Sequence, residues 1–268
     1  MEALRQIEDW PVSLAAAGVV SGRGVETHGD ARRAFPLASV SKPVAALALL
    51  VAAEEGVVDL DEAEGPAGST VRHLLAHASG LPFEGTVPIA APGTRRIYSN
   101  EGFRVLGAHL ARRAEMTFAE YVRAAVVEPL GVGLDPSGDP GSGMRASVAD
   151  VLALARELLE PTVVARETLD EMTAVQFPGL SGVLPDWGRF DPLDWGLGVQ
   201  LATSTPTWMG TRVSSRAFGH FGGSGTLLWV DPELGVACAA LTDRAFGDWA
   251  KEAWPALSDA VVEEAASG

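Results

Sequence analysis

Cysteine is almost missing from this chain. Cys238 is the only one in 268 residues, so no intramolecular disulfide can staple the fold. Its place in the apolar run 236–241 marks it as a buried, inert thiol. Positive charge is scarce as well: 20 Lys and Arg stand against 35 Asp and Glu, for a net charge of −15. Such a field repels a phosphate backbone and an acidic membrane surface, which excludes nucleic acid and argues against a membrane partner. Long hydrophobic runs are missing too. The longest spans residues 44–53 and is too short to cross a bilayer. The first residues, MEALRQIEDWPVSLAAAG, carry acids at positions 2 and 8 and lack an apolar core followed by a small-residue cleavage site. The expected location is therefore cytoplasmic. Gly (30) and Pro (17) are plentiful but spread out, with no repeat or low-complexity tract. What remains is a globular composition, 47% hydrophobic and 21% charged, long enough for one large domain or two small ones.

Strand patterns lie at both ends and helical patterns between them. Residues 2–9 read as a short helix. Residues 12–21 read as a strand, Gly22-Arg23-Gly24 as a turn, and 25–28 as a returning strand. Helical patterns occupy 44–53, 69–76, 100–113, 118–127, 147–159 and 166–173. Thr117 with Glu120, and Ser147 with Asp150, are spaced as capping boxes. Strands are expected at 195–203, 225–230 and 236–242, then an amphipathic helix at 249–266 interrupted at Pro255. The simplest assembly is α+β: an antiparallel sheet built from both termini, flanked by terminal helices, with an inserted all-helical subdomain. Residues 1–65 with 180–268 would form the sheet region and 66–179 the helical part of one catalytic domain. A site in the cleft between them is expected.

The chemistry centres on Ser39-Val40-Ser41-Lys42, just ahead of the 44–53 helix. A helix start favours developing negative charge. Three residues is the spacing that brings two side chains together on one helical face. A serine needs a base to attack a carbonyl, and a lysine becomes one when burial lowers its pKa. Pro43 disfavours the α conformation at Lys42, which predicts a tightened first turn. An ordinary helix start, with Ser39 or Ser41 as N-cap, explains the same four residues. Tyr98-Ser99-Asn100 adds a hydroxyl able to relay protons if a nearby ammonium holds its pKa down, and an amide able to hold a carbonyl. Asn100 as a plain helix cap is the alternative. Gly219-His220-Phe221-Gly222-Gly223-Ser224-Gly225 allows a ligand close to the backbone before a strand, where an N–H can meet an oxyanion.

In that order, Ser39-x-x-Lys42, Tyr98-x-Asn100 and His220-x-Gly222 resemble the serine β-lactamase/penicillin-binding protein superfamily. The likeness is to the branch holding class C β-lactamases, D-alanyl-D-alanine peptidases and related esterases. Leu74-Leu75-Ala76-His77-Ala78-Ser79-Gly80-Leu81-Pro82, Pro92-Gly93-Thr94, Arg145-Ala146-Ser147-Val148-Ala149-Asp150 and Trp195-Gly196-Leu197-Gly198 look like further segments of that branch. The resemblance covers residues 35–242. It implies Ser39 as acylated nucleophile, Lys42 as its activator and Tyr98 as proton shuttle. It implies Asn100, His220 and Gly222 as substrate contacts, and the N–H groups of Ser39 and Gly223 as oxyanion hole. It requires no metal or organic cofactor. His220 departs from the lysine usual in β-lactamases and cell-wall peptidases; a histidine is mostly neutral at pH 7. The expectation is thus an esterase or amidase acting on a small ester, amide or lactam, tilted towards neutral substrates. A β-lactamase or D-alanyl-D-alanine carboxypeptidase is the first alternative, and a non-catalytic ligand-binding member the second. The sequence does not speak to oligomeric state.

Two other chemistries fit poorly. Gly222-Gly223-Ser224-Gly225-Thr226 lacks the last glycine of G-x-S-x-G, and no histidine follows 220. His73 and His77 are spaced as zinc ligands, but Leu74 stands where the glutamate belongs and no third ligand is evident. Trp187, Trp195 and Trp208 are candidates for pocket lining or for core, and loops 82–97 and 176–194 are expected to shape the pocket.

Overall fold

The chain opens with a 3-10 helix, Glu2–Asp9, that buries Ala3, Leu4 and Ile7. In this computed structural model, which describes residues 1–202 and 207–267, the expected hairpin follows. β1 (Ala15–Ser21) pairs antiparallel with β2 (Gly24–Gly29). A short β3 (Phe35–Pro36) and a 3-10 turn (Ala38–Val40) lead into α1 (Ser41–Glu54). The 3-10 turn is the tightened start that Pro43 predicts. Every residue in 41–52 is buried, as befits a helix that is apolar all round and runs through a core.

Helices dominate the middle. Thr70 caps α2 (Val71–Leu75) by accepting the His73 N–H. After β4 (Arg96–Ile97) comes α3 (Asn100–Ala114), capped by Ser99 and not by Asn100. The Thr117/Glu120 capping box opens α4 (Phe118–Val122), which widens into a π turn (Arg123–Val127) before α5 (Glu128–Leu130). Beyond β5 (Arg145–Ala146), the Ser147/Asp150 box opens α6 (Val148–Leu159), and α7 (Arg166–Met172) follows. α6 lies against β1 and β11 of the main sheet.

The last third adds β6 (Gly182–Leu184), β7 (Gly188–Phe190), β8 (Gln200–Leu201), β9 (Phe218–Gly222), β10 (Thr226–Asp231), β11 (Val236–Thr242) and α8 (Asp248–Ala266). Six strands form one antiparallel sheet in the order β2-β1-β11-β10-β9-β8, so both chain ends share it. Alternate residues supply two cores. Leu228, Val230, Ala237, Ala239 and Leu241 face α1 and α6, while Leu227, Trp229, Cys238 and Ala240 face the terminal helices. A sheet covered on both faces reads as continuous apolar strands, which is why β10 and β11 were legible as runs.

Three expectations need correction. The strand at 195–203 shrinks to Gln200–Leu201; Trp195 bridges back to Gln200 across a turn held by Gly196 N–H on the Val199 carbonyl. Gly198 there has φ 76°, and a Cβ would lie 2.4 Å from Ala46 Cβ of α1, so the turn needs glycine. Thr203 lies outside the described residues. The C-terminal helix runs unbroken through Pro255. Trp254, Leu257 and Val261 are buried, and that packing outweighs one missing N–H. Finally, parts of the expected loops pair as a three-stranded sheet, β4-β6-β7, with β4 parallel to β6. Strands of two or three residues leave no periodicity to read.

Candidate active site

The turn bearing Ser39 is pinned from three sides. Leu37 N–H donates to the Met144 carbonyl at 2.9 Å. Thr226 Oγ1 donates to the Leu37 carbonyl at 2.8 Å, and Ser224 Oγ to the Pro36 carbonyl at 2.7 Å. Ala38 sits at φ 45°, a left-handed conformation costly for a residue with a Cβ. That strain sets Ser39 out from the helix start. Neither serine acts as N-cap: position N-cap is Val40, without a side-chain cap, and Ser41 Oγ instead accepts the Met144 N–H.

Lys42 is fully buried. Its Nζ lies 2.7 Å from Asn100 Oδ1, 2.9 Å from the Gly141 carbonyl and 3.3 Å from Ser39 Oγ. Burial lowers its pKa to about 7; Asp139 and Glu84 push upward and Arg104 downward. The chemistry of the partners then fixes the direction of the lone pair. Two partners are carbonyl oxygens, which only accept. A neutral Lys42 amine has two N–H groups for them, and its lone pair is left for the Ser39 hydroxyl.

Behind Lys42 stands a charged network that the sequence pattern did not reveal. Asn100 Nδ2 donates to Glu84 Oε1 at 3.4 Å. Arg104 pairs with Glu84, with Glu101 and with Asp139. Asp139 in turn accepts the Gly141 N–H at 2.9 Å. Arg104 thus ties together the supports of both carbonyls on Lys42. Glu84 and Asp139 could have been suspected only from proximity in space. The Gly141 contact is a backbone oxygen and has no side-chain signature at all.

Tyr98 is packed between rings, with its centroid 4.5 Å from His77, 5.9 Å from Trp195 and 5.8 Å from His220. Its pKa is not held down by an ammonium: desolvation pushes it up, only partly offset by hydrogen bonding to Ser39. Tyr98 is therefore a neutral phenol. His220 is neutral too. Desolvation, then the nearby Lys42, depress it to about 3, against a hydrogen bond with the Phe221 carbonyl. Nδ1–H donates to that carbonyl at 2.7 Å, so Nε2 is the acceptor facing the Tyr98 hydroxyl at 3.5 Å. His77, also buried and held well below its usual pKa by desolvation, accepts the Ser99 N–H and so fixes the Tyr98-Ser99-Asn100 corner. His73 Nδ1 pairs with Thr70 Oγ1, so the two histidines serve different partners.

A pocket of about 140 Å³ opens over Ser39, lined by Tyr98, His220 and Gly223, with Phe83 and Pro185 from the two expected loops. Gly222 sits behind it. A Cβ there would meet the Leu37 carbonyl at 2.4 Å, so glycine lets β9 approach the Ser39 turn. Asn100 faces Lys42, as above. Trp195 and Trp208 are core residues, and Trp208 Nε1 donates to Gln200 Oε1. Among the described residues no helix is long and apolar enough to cross a membrane.

Comparison with known proteins agrees with this architecture. The Beta-lactamase family model matches residues 8–262. A beta-lactamase from Mycobacterium bovis is 50% identical, with 98% of this chain and 99% of that one covered and a TM-score of 0.96. A D-stereospecific amidohydrolase from Streptomyces sp. shares 18% identity over 96% of each chain at a TM-score of 0.73, a likeness of fold. Penicillin-binding protein 4* from Bacillus subtilis is 26% identical over 37% of this chain, and the match spans 29% of that protein's length.

Proposed function

This chain belongs to the β-lactamase family, and we propose that it is a serine hydrolase forming an acyl-enzyme on Ser39, acting as an esterase or amidase. The observation that carries this reading is the Lys42 amine. It is desolvated to a pKa of about 7, with both N–H groups engaged by carbonyl oxygens and Ser39 Oγ 3.3 Å away. Ser39 Oγ attacks the substrate carbonyl as its proton passes to Lys42 Nζ. The resulting oxyanion is received by the backbone N–H groups of Ser39 and Gly223, both at the pocket. On collapse the C–O or C–N bond breaks. The leaving group takes the proton back from Lys42 through the Tyr98 hydroxyl, which as a neutral phenol donates while accepting. Water then releases the acyl group from Ser39. Asn100 holds Lys42 in place from its side of the cleft, and His220 and Gly222 shape the wall that meets the substrate.

Neutral His220 favours substrates without an anion beside the reacting carbonyl. β-Lactam hydrolysis is the second reading, favoured by what the M. bovis relative is called. The test is hydrolysis of p-nitrophenyl butyrate beside a chromogenic cephalosporin, with intact-mass detection of a fluorophosphonate adduct. Ser39→Ala is expected to abolish turnover and adduct together. Equal turnover by the variant would refute the serine mechanism, and no adduct on the wild type would favour a non-catalytic binding role. Cephalosporin turnover exceeding ester turnover would favour the second reading.

A further inference from the structure

The three-stranded sheet β4-β6-β7 carries a surface that the proposed chemistry leaves unused. Its register places Ile97 beside Val183 and Val183 beside Arg189. Those three side chains therefore form a row on one face, since alternate residues of a strand share a face. Arg95, just before β4, lines the same groove as these three. The intervening Arg96 points inward, where it is buried and donates to the carbonyls of Ala76, Gln176 and Leu193. Arg95 and Arg189 are different. Both are exposed, and among the described residues neither forms an ion pair.

Between them runs a groove of about 440 Å³ with Phe83, Ile89, Ile97, Val183 and Pro185 in its walls. Phe83, Ile89 and Val183 are three of the eight large apolar side chains exposed among the described residues. Apolar exposure gathered at one place marks a binding surface. Phe83, Tyr98 and Pro185 line this groove and the Ser39 pocket alike, so the two are continuous. In a chain of net charge −15, two guanidinium groups lining an apolar groove and without an ion-pair partner among the described residues are complementary to an anion.

We propose that this groove is a substrate subsite for esters or amides with an apolar arm that ends in a carboxylate, the arm lying on Ile97, Val183 and Phe83 and the carboxylate on Arg95 and Arg189. The inference rests on the serine-hydrolase reading for the position of the scissile bond. It deepens that reading: the fixed cation missing at His220 is supplied in the groove, by two arginines that do not line the Ser39 pocket itself. Guanidinium groups suit this task because they meet a carboxylate with two parallel N–H donors.

The test compares p-nitrophenyl octanoate with the mono-p-nitrophenyl ester of suberic acid, equal in length but ending in a carboxylate. The readout is the ratio of kcat/KM for the anionic ester to that for the neutral one. In the Arg95→Ala/Arg189→Ala double variant that ratio is expected to fall about fivefold, the size that two partly exposed ion pairs supply. It should also fall in the wild type as NaCl rises to 1 M, through screening. The Arg95→Lys/Arg189→Lys variant, which keeps the charge and loses the paired N–H donors, should fall between the wild type and the alanine variant. A ratio equal in wild type and alanine variant would overturn the proposal. A second measurement does not need turnover: titration of 11-(dansylamino)undecanoic acid and of its methyl ester into Ser39→Ala protein. Tighter binding of the acid, lost when both arginines are alanine, supports the subsite even where neither ester is hydrolysed. Equal binding of acid and methyl ester overturns it.

Discussion

Lys42 is where single-residue chemistry is decided. A lysine is an effective base near neutral pH only if its ammonium is destabilised, and here complete burial does so. Arg104 matters indirectly, because Glu84 and Asp139 would raise the Lys42 pKa if their charge were not met. The pH dependence follows with a definite sign. Below about 7 the group is protonated and has no lone pair for the Ser39 proton; above it the amine is free. We predict that kcat/KM for a neutral p-nitrophenyl ester rises with pH through a midpoint near 7. His220, already neutral above about 3, contributes nothing to that limb. Lys42→Arg, protonated at every working pH, should remove the limb and lower kcat/KM by about 10²- to 10⁴-fold. A flat wild-type profile from pH 5 to 9 would count against Lys42 as the base. At this scale the sequence was legible where chemistry needs particular side chains at short spacing, as at Ser39 and Lys42. It was opaque where the partner is a backbone carbonyl 99 residues away or where a left-handed position is held by Ala38, a residue type that does not announce that conformation.

Elements were readable in proportion to their length and to the clarity of their ends. α3, α4 and α6 begin where Ser99, Thr117 and Ser147 supply the cap, because a side-chain acceptor at that position satisfies an otherwise unpaired N–H. β10 and β11 were readable because the sheet is covered on both faces. The three-stranded sheet that carries Arg189 was not, since its strands have two or three residues and β4 pairs with a strand more than 80 residues on. Pro255 misled in the other direction. Its local rule says break, yet α8 continues because Trp254 and Leu257 on either side are buried against the sheet. The rule still has an energetic meaning. Pro255→Ala restores an N–H to the ladder while loosening the unfolded chain slightly. The variant should be more stable by about 1–2 kcal/mol. Urea unfolding checks this: the midpoint should rise with the slope unchanged. An unchanged or lower midpoint would mean that the ring itself packs favourably where the helix meets Gly210.

For the whole molecule, the governing fact is that both ends of the chain close one sheet. β1 lies between β2 and β11, and Glu264 near the C-terminus accepts the N–H groups of Glu2 and Ala3 at 2.9 and 2.8 Å. The turn that bears Ser39 depends on that closure, because Thr226 and Ser224, which hold it, lie on or just before β10 in the same sheet. Stability of the sheet and integrity of the site should therefore fail together. The joint between α8 and the sheet offers a direct probe: Trp229 Nε1 on β10 donates to Ser258 Oγ on α8 at 2.9 Å, with both residues fully buried. Ser258→Ala leaves the indole N–H without an acceptor in a dry interior, a loss of about 1–3 kcal/mol. Tryptophan fluorescence and the hydrolytic activity proposed for Ser39 should then fall along one transition at a lower temperature than in the wild type. Trp229→Phe removes the donor instead and leaves a smaller ring in the core. If the hydrogen bond is what joins the layers, the Ser258→Ala/Trp229→Phe double variant should be destabilised by less than the sum of the two single variants. Strict additivity would place the joint in the apolar contacts of Trp254, Leu257 and Val261 alone.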